Sequence, residues 1–234
     1  MRIILLTFLF FGIFKQGSCQ SSDYEEIFGD DWKKASLYLS GNMTWMQPFL
    51  ENNNIPYREA VAVIFPELVR YSALRDKIET SMLKTLYVNL GETYANFSIG
   101  VFQIKPSFAS YIREEYNSAK AGNPGISFRK SKDYDDLRDF RREIVSDLED
   151  PVQQLKYIVA FFILCEKKYR ISRMDQTERI RFLAAAYNSG IDKDKKSIVS
   201  MADKKFFNTK LFSTMKYSYA DVSLYWYNQN KPVR

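Results

Sequence analysis

Apolar positions in this chain recur at helical spacing and almost never alternate. Val61, Ile64, Phe65 and Leu68, continued by Ser72, share one side of a helix, the spacing of a buried stripe. Asn52-Asn53-Asn54 and Pro56 mark its start, since proline is tolerated in a first turn. Pro66 lies inside the pattern and predicts a kink or restart. Ile78, Met82, Leu83, Leu86 and Val88 predict a second helix over 76–89, stopped by Gly91. A loop over 91–105 then leads to a helix from Pro106 to about Tyr116. Ala121-Gly-Asn-Pro-Gly125 is the clearest loop. After it, Leu137, Phe140, Ile144 and Leu148 form the inner face of a polar helix. Asp150-Pro151 opens a helix to about Arg170 whose middle is apolar on all sides, the pattern of a central core helix. Asp175 and Glu178 resemble a capping box. Ile180, Leu183, Ala184 and Tyr187 follow as an inner stripe, and Gly190 stops that helix. Residues 23–50 read as a polar lead-in with scattered aromatics, and 193–196 as a charged loop. Two short helices, around 206–215 and 219–227, complete the pattern. With no alternating runs and no Asn-Gly hairpin turn, the expected fold is all-α, one helical domain without repeats or a linker.

The N-terminus follows different rules. Met1-Arg2 precedes an apolar run from Ile3 to Phe14, then a small-residue stretch to Ser22. This is the layout of a secretory signal peptide, too short to span a bilayer. It assigns 1–19 to a leader and 20–234 to the domain. Ser18-Cys19 also permits a lipoprotein reading with Cys19 lipidated, against which Gln16 stands at the usual leucine position. Either way the chain is expected to be exported, to the periplasm or the outer membrane.

Composition then removes whole chemistries. The sequence contains no histidine, the commonest general base and metal ligand. A Ser-His-Asp triad, a Cys-His dyad and a His-ligated zinc or haem are therefore excluded. Two cysteines make neither a thiolate metal site nor a disulfide framework. Cys165 sits in the apolar run 157–165 and is expected to be a buried small hydrophobe. No metal or cofactor is expected. A hydrophobic fraction of 46% and an aromatic fraction of 16% describe a packed globule. The formal charge of +6, lowered by two when the leader's Arg2 and Lys15 leave, suits an anionic polymer or simply solubility. No Lys/Arg block suggests nucleic acid.

Three segments carry chemistry. Val63-Ile-Phe-Pro-Glu67-Leu-Val-Arg-Tyr71 embeds a carboxylate in an apolar helix, where desolvation favours the protonated acid. Ser98-Ile-Gly100-Val-Phe-Gln103-Ile-Lys-Pro106 offers a glycine for close backbone approach and an amide for hydrogen bonds. Leu183-Ala-Ala-Ala-Tyr187-Asn188-Ser-Gly190 places a phenol and an amide at a helix end. Taken singly, each has an ordinary alternative: an exposed helix position, a helix lead-in, a C-cap.

Their order, Glu, then Gly-x-x-Gln-x-x-Pro, then Ala-Tyr-Asn-x-Gly, resembles the lysozyme-like lytic transglycosylases over about residues 55–190. The matching positions are Glu67, Gly100-Val-Phe-Gln103 with Pro106, and Ala186-Tyr187-Asn188-Ser189-Gly190. The resemblance implies a lysozyme-like helical domain, a monomer that acts on peptidoglycan strands without a cofactor. It implies Glu67 as the catalytic acid and base. It implies Tyr187 steadying that glutamate by a hydrogen bond, Gln103 and Asn188 contacting sugars, and the Ser98 and Gly100 backbone shaping the cleft floor. Leu68 stands where the family often has Ser, and the gap from Glu67 to Gly100 is long. Glu79 and Glu92 therefore stay as other candidates for the acid, though neither has the apolar surroundings of Glu67. The implied reaction cleaves the β-1,4 bond between N-acetylmuramic acid and N-acetylglucosamine and leaves a 1,6-anhydro end. Two other classes stay open. One is a hydrolase on the same scaffold, for which a second carboxylate across the cleft would speak. The other is a catalytically silent wall-binding or scaffold protein.

Overall fold

The computed structural model describes residues 23–74, 81–118, 125–209 and 215–231. The expected leader with Cys19, the alternative acid Glu79 and most of the 121–125 loop lie outside the described residues. Among the described residues the fold is all-α apart from one two-stranded ribbon.

The ten α-helices among the described residues, in chain order, are α1 (Tyr24–Phe28), α2 (Asp30–Asn52), α3 (Tyr57–Leu74), α4 (Ser81–Leu90), α5 (Pro106–Ser118), α6 (Leu137–Glu149), α7 (Pro151–Tyr169), α8 (Gln176–Ser189), α9 (Lys195–Ala202) and α10 (Tyr219–Gln229). Local chemistry sets several of their ends. The Asp150 carboxylate accepts the Val152 N–H at 2.8 Å, with Pro151 in the first turn of α7. Asp175 accepts the Glu178 N–H at 2.9 Å and opens α8. Gly190, at φ 109°, closes α8 by donating its N–H to the Ala186 carbonyl at 2.9 Å. Helix α7 is buried nearly all round, from Leu155 to Cys165, as its apolar middle predicts. Burial pushes the Cys165 thiol well above its usual pKa, leaving a packed, unreactive hydrophobe.

Helix α3 is the other buried helix. It packs against α2, α8 and α10, and Ala60 through Phe65 have no exposed surface. Trp32 of α2 stands edge-on to Phe65 at 4.5 Å, and Trp226 of α10 stacks on it at 5.3 Å. Pro66 does not end α3, which continues to Leu74. It lacks the N–H that the Ala62 carbonyl would otherwise receive. At the next residue, the Tyr219 hydroxyl of α10 donates to the Val63 carbonyl at 2.9 Å. The helix is thus braced from outside at its weakest turn. No described helix is long and apolar enough to cross a membrane.

Three sequence expectations are corrected. The supposed lead-in 23–50 contains α2, a helix with Trp32, Ala35, Leu39, Met46 and Leu50 buried. Those positions keep helical spacing, but Gly41, Pro48 and many polar residues dilute the stripe. The supposed charged loop at 193–196 is the start of α9, capped by Asp194 and anchored by Ile198 and Ala202. The helix expected over 206–215 is absent at its described residues. Instead β1 (Lys205–Phe207) pairs antiparallel with β2 (Tyr217–Ser218). Phe206 is exposed while Phe207 is buried edge-on to Phe28 and Tyr219, the opposite-face alternation of a strand.

Candidate functional site

Glu67 lies on α3 one residue after the proline and is 3% exposed. Burial is the largest influence on its carboxyl and raises its pKa. Two cations oppose that rise, Arg70 first and Lys105 second. Arg70 is one helical turn further along α3. Its Nη1 donates to both glutamate oxygens at 2.9 Å, while its Cζ lies 4.7 Å over the Phe207 ring. The net direction is upward, so ionised Glu67 costs stability at neutral pH. Its folded pKa is raised, so the penalty is missing below the ordinary carboxylate range and grows as pH rises through and above it. Glu67→Gln should therefore melt higher than the parent at pH 7, with the margin closing as pH falls towards 4.5, the ordinary value. Melting curves of both chains across that window check this.

The second segment forms a tight turn. Ile99 and Ile104 exchange backbone hydrogen bonds at 2.9 and 3.1 Å. Between them, Gly100 at φ 71° and Gln103 at φ 50° take left-handed backbone. Gln154, fully buried on α7, holds this turn from beneath. Its Oε1 accepts the Phe102 N–H at 2.9 Å, and its Nε2 donates to the Leu148 carbonyl. From above, the Tyr187 hydroxyl of α8 donates to the Phe102 carbonyl at 2.9 Å. One residue, Phe102, is thereby pinned by two helices.

Around this frame lies a cavity of about 530 Å³. Glu67, Ser98, Gln103, Tyr187 and Asn188 all line it. Three segments separated by up to 121 positions in the chain converge here. Gly100 does not line the cavity. A side chain there would strike Gln154 and the Leu148 carbonyl, so the backbone it admits is the protein's own rather than a ligand's. The expected role in the cleft floor is corrected accordingly. Two contacts also differ from expectation. Tyr187 bonds the Phe102 carbonyl and not Glu67, and the Gln103 amide closes its own turn by donating to the Gly100 carbonyl at 2.8 Å. Tyr187 is nevertheless close enough to Glu67 to feel its charge, which adds to burial in raising the phenol pKa.

Several residues of the site were not singled out from the sequence. Arg70 could have been, because it shares a helix face with Glu67 at i+3. Lys105 and Tyr219 could not, since only the packing of distant segments brings them near Glu67. Glu92, the alternative acid, also lines the cavity but is exposed, and Asp192 joins it there. Neither is among the groups that act on Glu67. Among the described residues no cluster of three metal-ligating side chains occurs.

A larger cavity of about 800 Å³ opens elsewhere, between the α2–α3 turn and α7. Its acids are already satisfied, Glu59 by Arg179 at 3.0 Å and Glu166 by Ser172 at 2.8 Å. The smaller cavity holds Glu67, whose burial raises its carboxyl pKa.

The chain matches no protein-family model, no curated protein and no solved structure.

Proposed function

We propose that this chain is a lytic transglycosylase that cleaves the β-1,4 bond between N-acetylmuramic acid and N-acetylglucosamine in peptidoglycan. One observation carries the reading. Glu67, buried and raised in pKa, faces the same cavity as Gln103, Tyr187 and Asn188. In this reading Glu67 is the acid, and Gln103 and Asn188 are the amides that would meet the sugars. In the proposed reaction protonated Glu67 gives its proton to the glycosidic oxygen, and the C1–O bond breaks. The C6 hydroxyl of the same muramic acid attacks C1. The Glu67 carboxylate takes the hydroxyl proton, which regenerates the acid. The nucleophile belongs to the substrate, so one protein carboxylate suffices, unlike the paired carboxylates of most glycosidases.

Hydrolysis is the second reading, favoured by one observation: Glu92 and Asp192 line the same cavity as Glu67. Either could activate a water. Both are exposed, whereas Glu67 is buried. Mass spectrometry of digested cell walls separates the two, because anhydro ends are lighter than hydrolytic ends by one water. Transglycosylation predicts anhydro products from the parent, from Glu92→Gln and from Asp192→Asn alike. Hydrolytic ends that vanish in either variant would establish the second reading. Intact walls under all conditions would leave a binding protein.

A further inference from the structure

Charge in the cavity is segregated. The two groups that act on Glu67 are both cations, Arg70 and Lys105. The two further carboxylates of the cavity act elsewhere, Glu92 on Tyr87 and Asp192 on Tyr111 and Tyr169. Arg70 is only part-buried, with 23% of its side chain exposed, and it lines the cavity. Nη1 alone makes its hydrogen bonds among the described residues, both to Glu67. A guanidinium has further donors in a planar fork suited to a second carboxylate. Lys105 is exposed in the cavity wall, and no carboxylate lies within ion-pair distance of it among the described residues. A neutral glycan has no use for two such cations beside the reacting acid.

Resting on the glycan reading above, we propose that Arg70 and Lys105 form a carboxylate-binding subsite, and that an acidic substituent on the glycan draws Arg70 away from Glu67 and so arms the acid. The substituent is the carboxylate chemistry carried on muramic acid, either its lactyl group or the stem peptide attached there. When Arg70 turns to that carboxylate, Glu67 stays buried without its main counter-ion and takes a proton from solvent. That proton is the one delivered to the glycosidic oxygen. The groups facing Glu67 are then Lys105 before α5, Tyr187 of α8 and Tyr219 of α10, and with Lys105 occupied by substrate none stabilises a bare carboxylate as an ion pair would. Specificity and activation thus come from one contact: a chain lacking the acidic group neither fills the subsite nor releases the arginine.

Binding is read on full-length Glu67→Gln, which holds glycan without cleaving it. Three glycans of equal length are compared: a neutral N-acetylglucosamine oligomer, an alternating glycan with free lactyl carboxylates, and the same glycan bearing stem peptides. An acidic glycan should bind about tenfold or more tightly than the neutral one, the worth of a charge-assisted hydrogen-bonded contact. Whichever acidic glycan binds more tightly identifies the source of the carboxylate. Adding Arg70→Met or Lys105→Met should each reduce the preference several-fold, and Lys105 is exposed, so its variant tests the subsite without disturbing the core. In the catalytically intact chain, Arg70→Met should move the alkaline limb of kcat/KM, which reports the free enzyme, to higher pH, and leave that of kcat, where Arg70 already faces the substrate carboxylate, nearly in place; an arginine that stays on Glu67 throughout would move both. Equal binding of all three glycans, a preference that survives both substitutions, or equal movement of both limbs overturns the subsite while leaving the glycan reading intact. If none of the three glycans binds, the glycan reading itself fails.

Discussion

Glu67→Gln is expected to reduce release of muropeptides from cell walls by about 10²–10⁴-fold or more, the usual contribution of general acid–base catalysis, while glycan still binds. The argument rests on what the substitution changes and what it keeps. Glutamine has the shape of glutamic acid and can still accept a hydrogen bond from Arg70, so α3 and the cavity wall stay in place. It cannot give a proton to the leaving oxygen or take one from the attacking hydroxyl. Both halves of the reaction therefore fail at one atom. The proposed substrate contacts, Gln103 and Asn188, lie on other segments of the cavity and remain, so affinity should be retained. The gain in melting temperature expected for the same variant makes the test stricter, because lost activity cannot then be assigned to unfolding. An active site often costs stability in this way. Undiminished turnover in Glu67→Gln would remove Glu67 from the chemistry and turn attention to Glu92, the other carboxylate candidate in the same cavity.

The parts of the molecule that were legible in the sequence share a physical cause. Helices α3, α5, α6, α7 and α8 announce themselves because strong periodic burial coincides with local end signals: Pro56, Pro106, Asp150-Pro151, Asp175 and Gly190. Helix α2 was missed because its stripe is interrupted and its stability comes from tertiary contacts such as Trp32 on Phe65. The ribbon was missed because two or three residues cannot show a period, and pairing across a connection is not local information. At the site the same division holds. Glu67, Gln103, Tyr187 and Asn188 could be chosen from residue type and order. The Tyr187 to Phe102 contact could not, because it joins residues 85 positions apart. Arg70 lies between these cases, visible at i+3 yet easily passed over as surface charge. Gly100 was picked correctly as a position that only glycine fits, but for the wrong neighbour, since sequence cannot say which backbone or side chain will occupy the space a missing Cβ leaves.

Gly100→Ala is for that reason the substitution expected to damage the fold most. Its φ of 71° is open to glycine and strained for alanine. The larger penalty is steric. An alanine Cβ would lie 2.7 Å from Gln154 Cδ and closer still to the Gln154 amide nitrogen and the Leu148 carbonyl. The carbonyl is backbone at the end of α6 and cannot retreat without moving the α6–α7 corner. Gln154 cannot swing away without abandoning the Phe102 N–H and the Leu148 carbonyl, and buried polar groups left unpaired cost about 1–3 kcal/mol each. Strain, overlap and lost hydrogen bonds add to roughly 4 kcal/mol or more, in the range reserved for specific packing failures and a large share of the 5–15 kcal/mol typical of a domain. Urea unfolding measures it directly. Gly100→Ala combined with Gln154→Ala should recover part of the loss relative to the sum of the single effects, because shortening Gln154 frees one of the two clashes while the Leu148 carbonyl and the strained φ remain; contacting residues are where such coupling is expected. Simple additivity would mean that the two residues do not meet. The same experiment links packing to function. The turn that Gly100 and Gln154 hold also carries Ser98, Gln103 and the carbonyl on which Tyr187 rests. Any double variant that refolds but leaves this turn loose should bind glycan poorly even with Glu67 intact.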